Sequence, residues 1–165
     1  MAKMGSANSS QMKKFQKDLN KLQGAQKEEF FRQCAKELAA RLLAKAIKRT
    51  PVGQYPQGSG KVGGTLRRGW TSKTHGEAEK GSGKGASAKS YADSLQVKHI
   101  GNIYEVEIIN PVEYASYVEH GHRTRDHKGW VPGQFMLTIS EEEIRKSSPK
   151  ILEAKLNKFL GEVFK

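Results

Sequence analysis

Between residues 30 and 47 the chain sets an apolar pair at every fourth position: Phe30-Phe31, Cys34-Ala35, Leu38-Ala39, Leu42-Leu43 and Ala46-Ile47. A spacing of four belongs to a helix, and at 3.6 residues per turn each step carries the pair about 40° around the axis. The apolar face therefore winds round this helix and meets more than one partner element. Pro51 stops it, because the residue before a proline is driven out of the helical region.

The stretch that follows has a different character. Residues 50–90 hold 10 of the 17 glycines, and Leu66 is their only Leu, Ile, Phe or Met. Residues 76–89 read as a flexible, basic loop with no core-forming capacity. Residues 65–71 read as a short strand, since Leu66 and Trp70 share a face at period two. Upstream of the long helix, Phe15, Leu19 and Leu22 lie at i, i+4 and i+7 among polar residues. They form a narrow amphipathic helix stripe with Gly24 as its stop.

Residues 94–109 read as a β-hairpin turning at Gly101-Asn102, both tolerant of positive φ. That turn pairs Ile100 with Ile103, His99 with Tyr104, Lys98 with Glu105 and Val97 with Val106, then Gln96 with Glu107 and Leu95 with Ile108. One face carries Leu95, Val97, His99, Tyr104, Val106 and Ile108; the other sets Gln96 and Lys98 against Glu107 and Glu105. A slip of one residue would destroy this agreement.

Asn110-Pro111-Val112-Glu113 reads as a helix start, opening a short helix that buries Tyr114, Tyr117 and Val118 and ends at Gly121. Residues 122–129 read as a charged loop, and residues 130–133 as the lead into a helix with Phe135, Met136 and Ile139. Ser148-Pro149 reads as the start of a last helix with Ile151, Leu152, Leu156, Phe159, Leu160 and Val163. The fold class is α+β: N-terminal and C-terminal helices packed on a small antiparallel sheet containing a β-hairpin, with a long flexible loop. Residues 1–10 read as a flexible N-terminus, and residues 11–165 as a single domain carrying the flexible Gly/Lys-rich loop 53–90.

Charge narrows the function. Lys plus Arg number 29 against 17 Asp plus Glu, a formal net charge of +12. Residues 1–90 carry 19 basic and 6 acidic side chains and residues 91–165 carry 10 and 11, so the first half holds the whole excess. Such asymmetry points to a polyanion or an acidic neighbouring surface. The single cysteine excludes an internal disulfide framework and fits a reducing compartment. No apolar run approaches the ~20 residues of a membrane span, and residues 1–8 hold no apolar signal segment. The expectation is a soluble, basic, intracellular-type domain without a membrane partner.

Catalytic chemistry finds little support. His120, His122 and His127, with Glu119 and Asp126, are the only cluster with metal-ligand residue types. A zinc site needs three or four converging ligands, yet His120 and His122 straddle the glycine that ends a helix. The pattern reads as a polar loop, with no metal expected. Cys34 falls on the apolar stripe and reads as a core residue. The glycines of residues 53–64 match neither the phosphate-binding loop nor the dinucleotide fingerprint. Gly81-Ser82-Gly83-Lys84 lacks the strand before it and the helix after it. No cofactor and no enzymatic activity are expected.

Nucleic-acid contact is better supported. Arg67, Arg68, Lys73, Lys80, Lys84 and Lys89 would meet phosphates without sequence preference. No recognition-helix pairing, zinc finger or aromatic RNA platform accompanies them. Tyr114, Tyr117 and Trp130 read as core or interface residues. The interface or DNA-facing candidates are Arg67, Arg68, Lys80, Lys84, Lys89, His122, Arg123, Arg125 and Trp130.

Several segments, in order and spacing, resemble the tail-component proteins of long-tailed double-stranded DNA bacteriophages, also called neck or head–tail joining proteins. They are the Phe15-to-Leu22 start, Arg49-Thr50-Pro51-Val52 followed by Gly64-Thr65-Leu66-Arg67-Arg68-Gly69-Trp70, and the hairpin ending Val106-Glu107-Ile108-Ile109-Asn110-Pro111. The most specific is Val112-Glu113-Tyr114-Ala115-Ser116-Tyr117-Val118-Glu119-His120-Gly121-His122-Arg123-Thr124, followed by Trp130-Val131-Pro132-Gly133-Gln134-Phe135-Met136-Leu137. The likeness covers most of residues 11–165. The chain departs from the compact family pattern by inserting residues 54–63 and by its long glycine- and lysine-rich stretch.

The resemblance implies a virion structural protein without catalytic residues, made in the bacterial host cytoplasm and built into the neck or tail. It implies a ring of its own copies at the junction of the DNA-filled head and the tail, with neighbouring head-completion and tail proteins as partners. Non-specific contact with double-stranded DNA fits the same place. Tail termination is the nearby alternative role. A basic nucleic-acid-binding accessory protein is an alternative of another class, and a metal-dependent enzyme using the His120–His127 loop is a third.

Overall fold

The winding stripe is one helix, α1 (Ala25–Arg49), in a computed structural model that describes residue 17 and residues 24–60, 63–80 and 87–163. Phe15, Leu19, Leu22 and Lys84 lie outside the described residues. After α1 come α2 (Thr65–Gly69), α3 (His75–Lys80) and α4 (Ala88–Ser94). A first hairpin, β1 (Val97–Ile100) and β2 (Ile103–Val106), leads to α5 (Ala115–His120). A second hairpin, β3 (Gly121–Arg123) and β4 (Trp130–Pro132), leads to the long α6 (Met136–Val163). Helices and two small antiparallel sheets make an α+β fold.

α1 is the hub, touching α4, the first hairpin and α6. Its winding face shows directly in one apolar pair. Phe31 stacks on Tyr104 of β2 at 5.4 Å, while Phe30 stacks on Phe159 of α6 at 4.5 Å. Leu43 and Ala46 are fully buried, with Ala78 of α3 and Ala92 of α4 equally enclosed. Alanines at these contacts allow close backbone approach, and leucine supplies the volume. Truncating Leu43 to alanine would cost about 2–5 kcal/mol. Glu143 of α6 ties the same two helices, pairing with Lys45 at 2.6 Å and with Arg49.

The first hairpin has the expected register, Val97↔Val106, Lys98↔Glu105, His99↔Tyr104 and Ile100↔Ile103. His99 stacks on Tyr104 at 4.2 Å. The ladder ends at Val97 because α4 runs to Ser94, so Gln96 and Leu95 take no strand partner. Lys98 meets Glu107 across the diagonal at 3.5 Å.

Four local expectations are corrected. Residues 65–69 form a helix where a strand is expected, because a spacing of four between Leu66 and Trp70 suits a helical face as well as a strand face. Gly64, at φ +94°, turns the chain into it. Residues 75–80 and 88–94 form two further short helices, and Ala78 packs into the core where no core contribution is expected. One small apolar side chain suffices when the core approaches closely. Residues 121–132 form the second hairpin rather than a charged loop alone.

The fourth correction concerns Pro149, which sits inside α6 instead of opening a new helix. Proline removes the N–H that would have served the carbonyl four residues earlier, that of Arg145. Ser148 Oγ donates to that carbonyl at 3.0 Å. Ser147 Oγ donates to the Glu143 carbonyl one turn back at 2.9 Å. The Ser148 hydroxyl thus serves the carbonyl that proline leaves without its backbone donor, and the helix continues.

Candidate functional site

The segment from Asn110 to Ile139 is built by local bonding that the apolar pattern does not reveal. Asn110 does not cap α5. Its Oδ1 accepts from Val112 N at 3.2 Å and its Nδ2 donates to the Leu66 carbonyl at 2.9 Å, so it ties α2 to the start of this segment. Gly69 leaves room for it: a Cβ there would collide with Asn110 Oδ1 and approach Val112 Cγ2 at 2.8 Å. Val112 is buried against α2, and α5 begins only at Ala115.

On α5 the buried side chain is Glu119, while Tyr114 and Tyr117, expected inside, are exposed. Glu119 reaches the first turn of α6. It accepts from Leu137 N at 2.9 Å, Thr138 N at 2.9 Å and the Thr138 hydroxyl at 2.8 Å. Burial works to raise its pKa, but these three bonds outweigh burial and hold the carboxyl below its ordinary value. Two glycines allow the approach. A Cβ on Gly133 would fall on the Glu119 carbonyl, and one on Gly121 would meet the Val131 carbonyl at 2.5 Å. Gly121 also takes φ +86°, a left-handed turn that favours glycine.

This anchorage presents the second hairpin to solvent. Trp130 is 60% exposed and Tyr117 59%, with Val131, Phe135 and Ile139 also exposed. Tyr117 meets the His122 ring edge-on at 6.0 Å. His122, Arg123 and Arg125 are exposed on the same hairpin. Its turn is closed internally: Gly129 N donates to Thr124 Oγ1 at 2.9 Å, and Lys128 N to Asp126 Oδ1 at 3.2 Å. The Thr124 hydroxyl and the Lys128 N–H hold the Asp126 carboxyl below its usual range.

The other basic candidates divide. Arg67 donates to the Thr50 carbonyl through Nε at 3.1 Å and Nη2 at 2.6 Å, closing the C-terminus of α1. Trp70 Nε1 donates to Thr50 Oγ1 at 2.6 Å, and that hydroxyl donates to Ala46 O at 2.7 Å. Arg68 donates to the Ala78 carbonyl at 2.7 Å and the Gly63 carbonyl at 3.1 Å. Both arginines are half-buried and hold the fold around α2. Lys80 and Lys89 are exposed at the end of α3 and on α4.

Among the described residues no three His, Cys, Asp or Glu side chains converge as a metal would require. Glu119 is engaged with α6, and Asp126 with its own turn. Burial pushes the Cys34 thiol above its ordinary pKa. No described helix is long and apolar enough to cross a membrane.

Comparison with protein families matches the chain to the family described as "Bacteriophage HK97-gp10, putative tail-component" over residues 13–121. The chain belongs to this family of phage tail components. Neither a search of curated proteins nor a search of solved structures returns a match. The matched part of the tail component ends at Gly121, where α5 ends. The rest of the hairpin and α6 lie beyond it, and α6 is joined to it by Glu119 and by Glu143.

Sequence reasoning named Glu119 only among residues of metal-ligand type and missed its capping of α6, for which a signal exists. α6 has no acid in its first turn, and Gly133-Gln134-Phe135 before it contains none of the usual capping residues. A helix start without its own cap must find an acceptor elsewhere.

Proposed function

We propose that this tail component is a non-enzymatic virion protein of the head–tail junction. It assembles as a ring of its own copies and docks on neighbouring head-completion and tail proteins. The observation that carries this reading is the exposed hairpin with Arg123, Arg125, Trp130 and Val131, flanked by exposed Tyr117 of α5. Trp, Tyr and Arg are the side chains that most often dominate protein–protein contact energy. Holding them on a braced hairpin lowers the ordering cost of association. The basic excess of residues 1–90, with Lys80, Lys84 and Lys89, supports non-specific contact with DNA passing through such a ring.

The test is light scattering across protein concentration with electron microscopy of large species, alone and with isolated phage heads. A ring-sized species with a central hole is expected, and Trp130→Ala should diminish it without lowering the melting temperature. A protein that stays monomeric alone and does not bind heads or tails overturns the reading. In a complementation assay, neutralising Lys80, Lys84 and Lys89 together should reduce joined particles while the domain stays folded. Unchanged particle yield removes the role given to those lysines.

A further inference from the structure

Between the N-terminal half of α1 and the C-terminal half of α6 runs an apolar groove of about 740 Å³. Phe30, Phe31, Cys34, Leu156 and Phe159 line it, and Gly24 stands at its end. Phe31 and Leu156 remain 38% and 42% exposed. We propose that the segment bearing Phe15, Leu19 and Leu22 turns back at Gly24 and fills this groove as a helix of the same chain.

Where the chain enters decides the occupant. Gly24 is the first residue of the continuous described chain and itself lines the groove. Gly24 has φ +88° and open space where a Cβ would stand, which suits a reversal. Lys17, described on its own, is helical and exposed. It lies between Phe15 and Leu19 in sequence and off their stripe, so its exposure leaves that stripe to face inward.

Length and tethering agree. Phe15 precedes Gly24 by as many residues as Cys34 follows Ala25, so an antiparallel return sets Phe15 beside Cys34 and Leu19 beside Phe30. Nine residues of helix rise about 13–14 Å on either side of the turn. A segment joined directly to its groove has an effective concentration on the order of mM. A second copy at micromolar concentration competes poorly with it.

Cys34, the single cysteine, supplies the probe. A disulfide requires Cα atoms within about 7 Å, so in the full chain Phe15→Cys should close a bridge to Cys34 under mild copper-phenanthroline oxidation. The product should run as a monomer on a non-reducing gel. Lys17→Cys, on the opposite face, should react at least tenfold more slowly. A disulfide-linked dimer from Phe15→Cys would assign the groove to a second copy and overturn the proposal, as would equal rates for the two variants.

Because Phe15→Cys removes an anchor, a second measurement keeps the native phenylalanine. Modification of Cys34 by a chromogenic thiol reagent should be slow in the native chain. It should be at least tenfold faster in Leu19→Glu and unchanged in Lys17→Glu. Equal rates in all three would show that the stripe does not cover the groove.

Discussion

Glu119 Oε1 accepts both the N–H and the hydroxyl of Thr138, at 2.9 and 2.8 Å, so the last turn of one helix caps the first turn of another. The positive end of α6 adds to those bonds. The Glu119 pKa is below its ordinary value in the folded chain, where hydrogen bonds outweigh burial. Its stabilisation is therefore complete above the unfolded carboxyl pKa and is lost as pH falls through the folded one. Glu119→Gln should lower stability by about 2–3 kcal/mol at neutral pH. Urea unfolding at pH 7 and pH 3 should show the gap from the native chain wide at the first and narrow at the second. Equal midpoints at pH 7 would remove Glu119 from its capping role.

Arg67 and Trp70 meet at Thr50, one on its carbonyl and the other on its hydroxyl. Thr50→Val should cost about 1–3 kcal/mol, since it leaves the buried indole N–H unsatisfied. Arg67→Gln should also destabilise, and the double variant should fall short of the sum because the two share one residue. Lys80→Gln and Lys89→Gln should stay within about 0.5 kcal/mol of the native chain. Thermal melts of the five variants beside the native chain decide it; a neutral Arg67→Gln would return Arg67 to the free surface cations.

Glu143 joins α6 to α1 through Lys45 and Arg49, whose hydrogen bonds hold its carboxyl below the ordinary value. Its contribution is present above the unfolded carboxyl pKa and disappears as pH falls through the lowered one. Glu143→Gln should lower the melting temperature at pH 7, and the difference should shrink as pH falls through the lowered carboxyl pKa. The difference at pH 7 should shrink at high salt, because these groups are solvent-accessible. A gap of constant size across pH would point to packing instead of charge.

What could be read from the chain alone was its periodicity. The winding pairs of α1 and the cross-strand agreement around Gly101-Asn102 both repeat, and repetition fixes direction in space. The α+β class follows from those elements, whereas the phage tail-component family is read from a resemblance, carried most specifically by Val112–Thr124. Residues 65–69 misled because a spacing of four fits two periods. The second hairpin has only three residues per strand, too few to alternate visibly. Glu119, Asn110 and Thr50 escaped for another reason: each acts on a carbonyl or N–H remote in sequence, and single side-chain bonds leave no period. Among the candidate cations, the same blindness hid the difference between Arg67, engaged with a carbonyl, and Lys80, exposed.

Pro149 offers the clearest test of how α6 is held together, because it is exposed and lies in the middle of a 28-residue helix. Proline in a helix interior is about 3 kcal/mol less favourable than alanine, through the missing N–H and the clash with the preceding turn. Ser148 offsets part of this by donating to the Arg145 carbonyl. Pro149→Ala restores the backbone donor and should stabilise the chain by about 1–3 kcal/mol. Ser148→Ala should destabilise the native chain yet be nearly neutral once Pro149→Ala is present, since the same carbonyl is then served by the backbone. Denaturant midpoints for the four proteins of this cycle measure the coupling. Additive effects would mean that the serine does not substitute for the lost N–H.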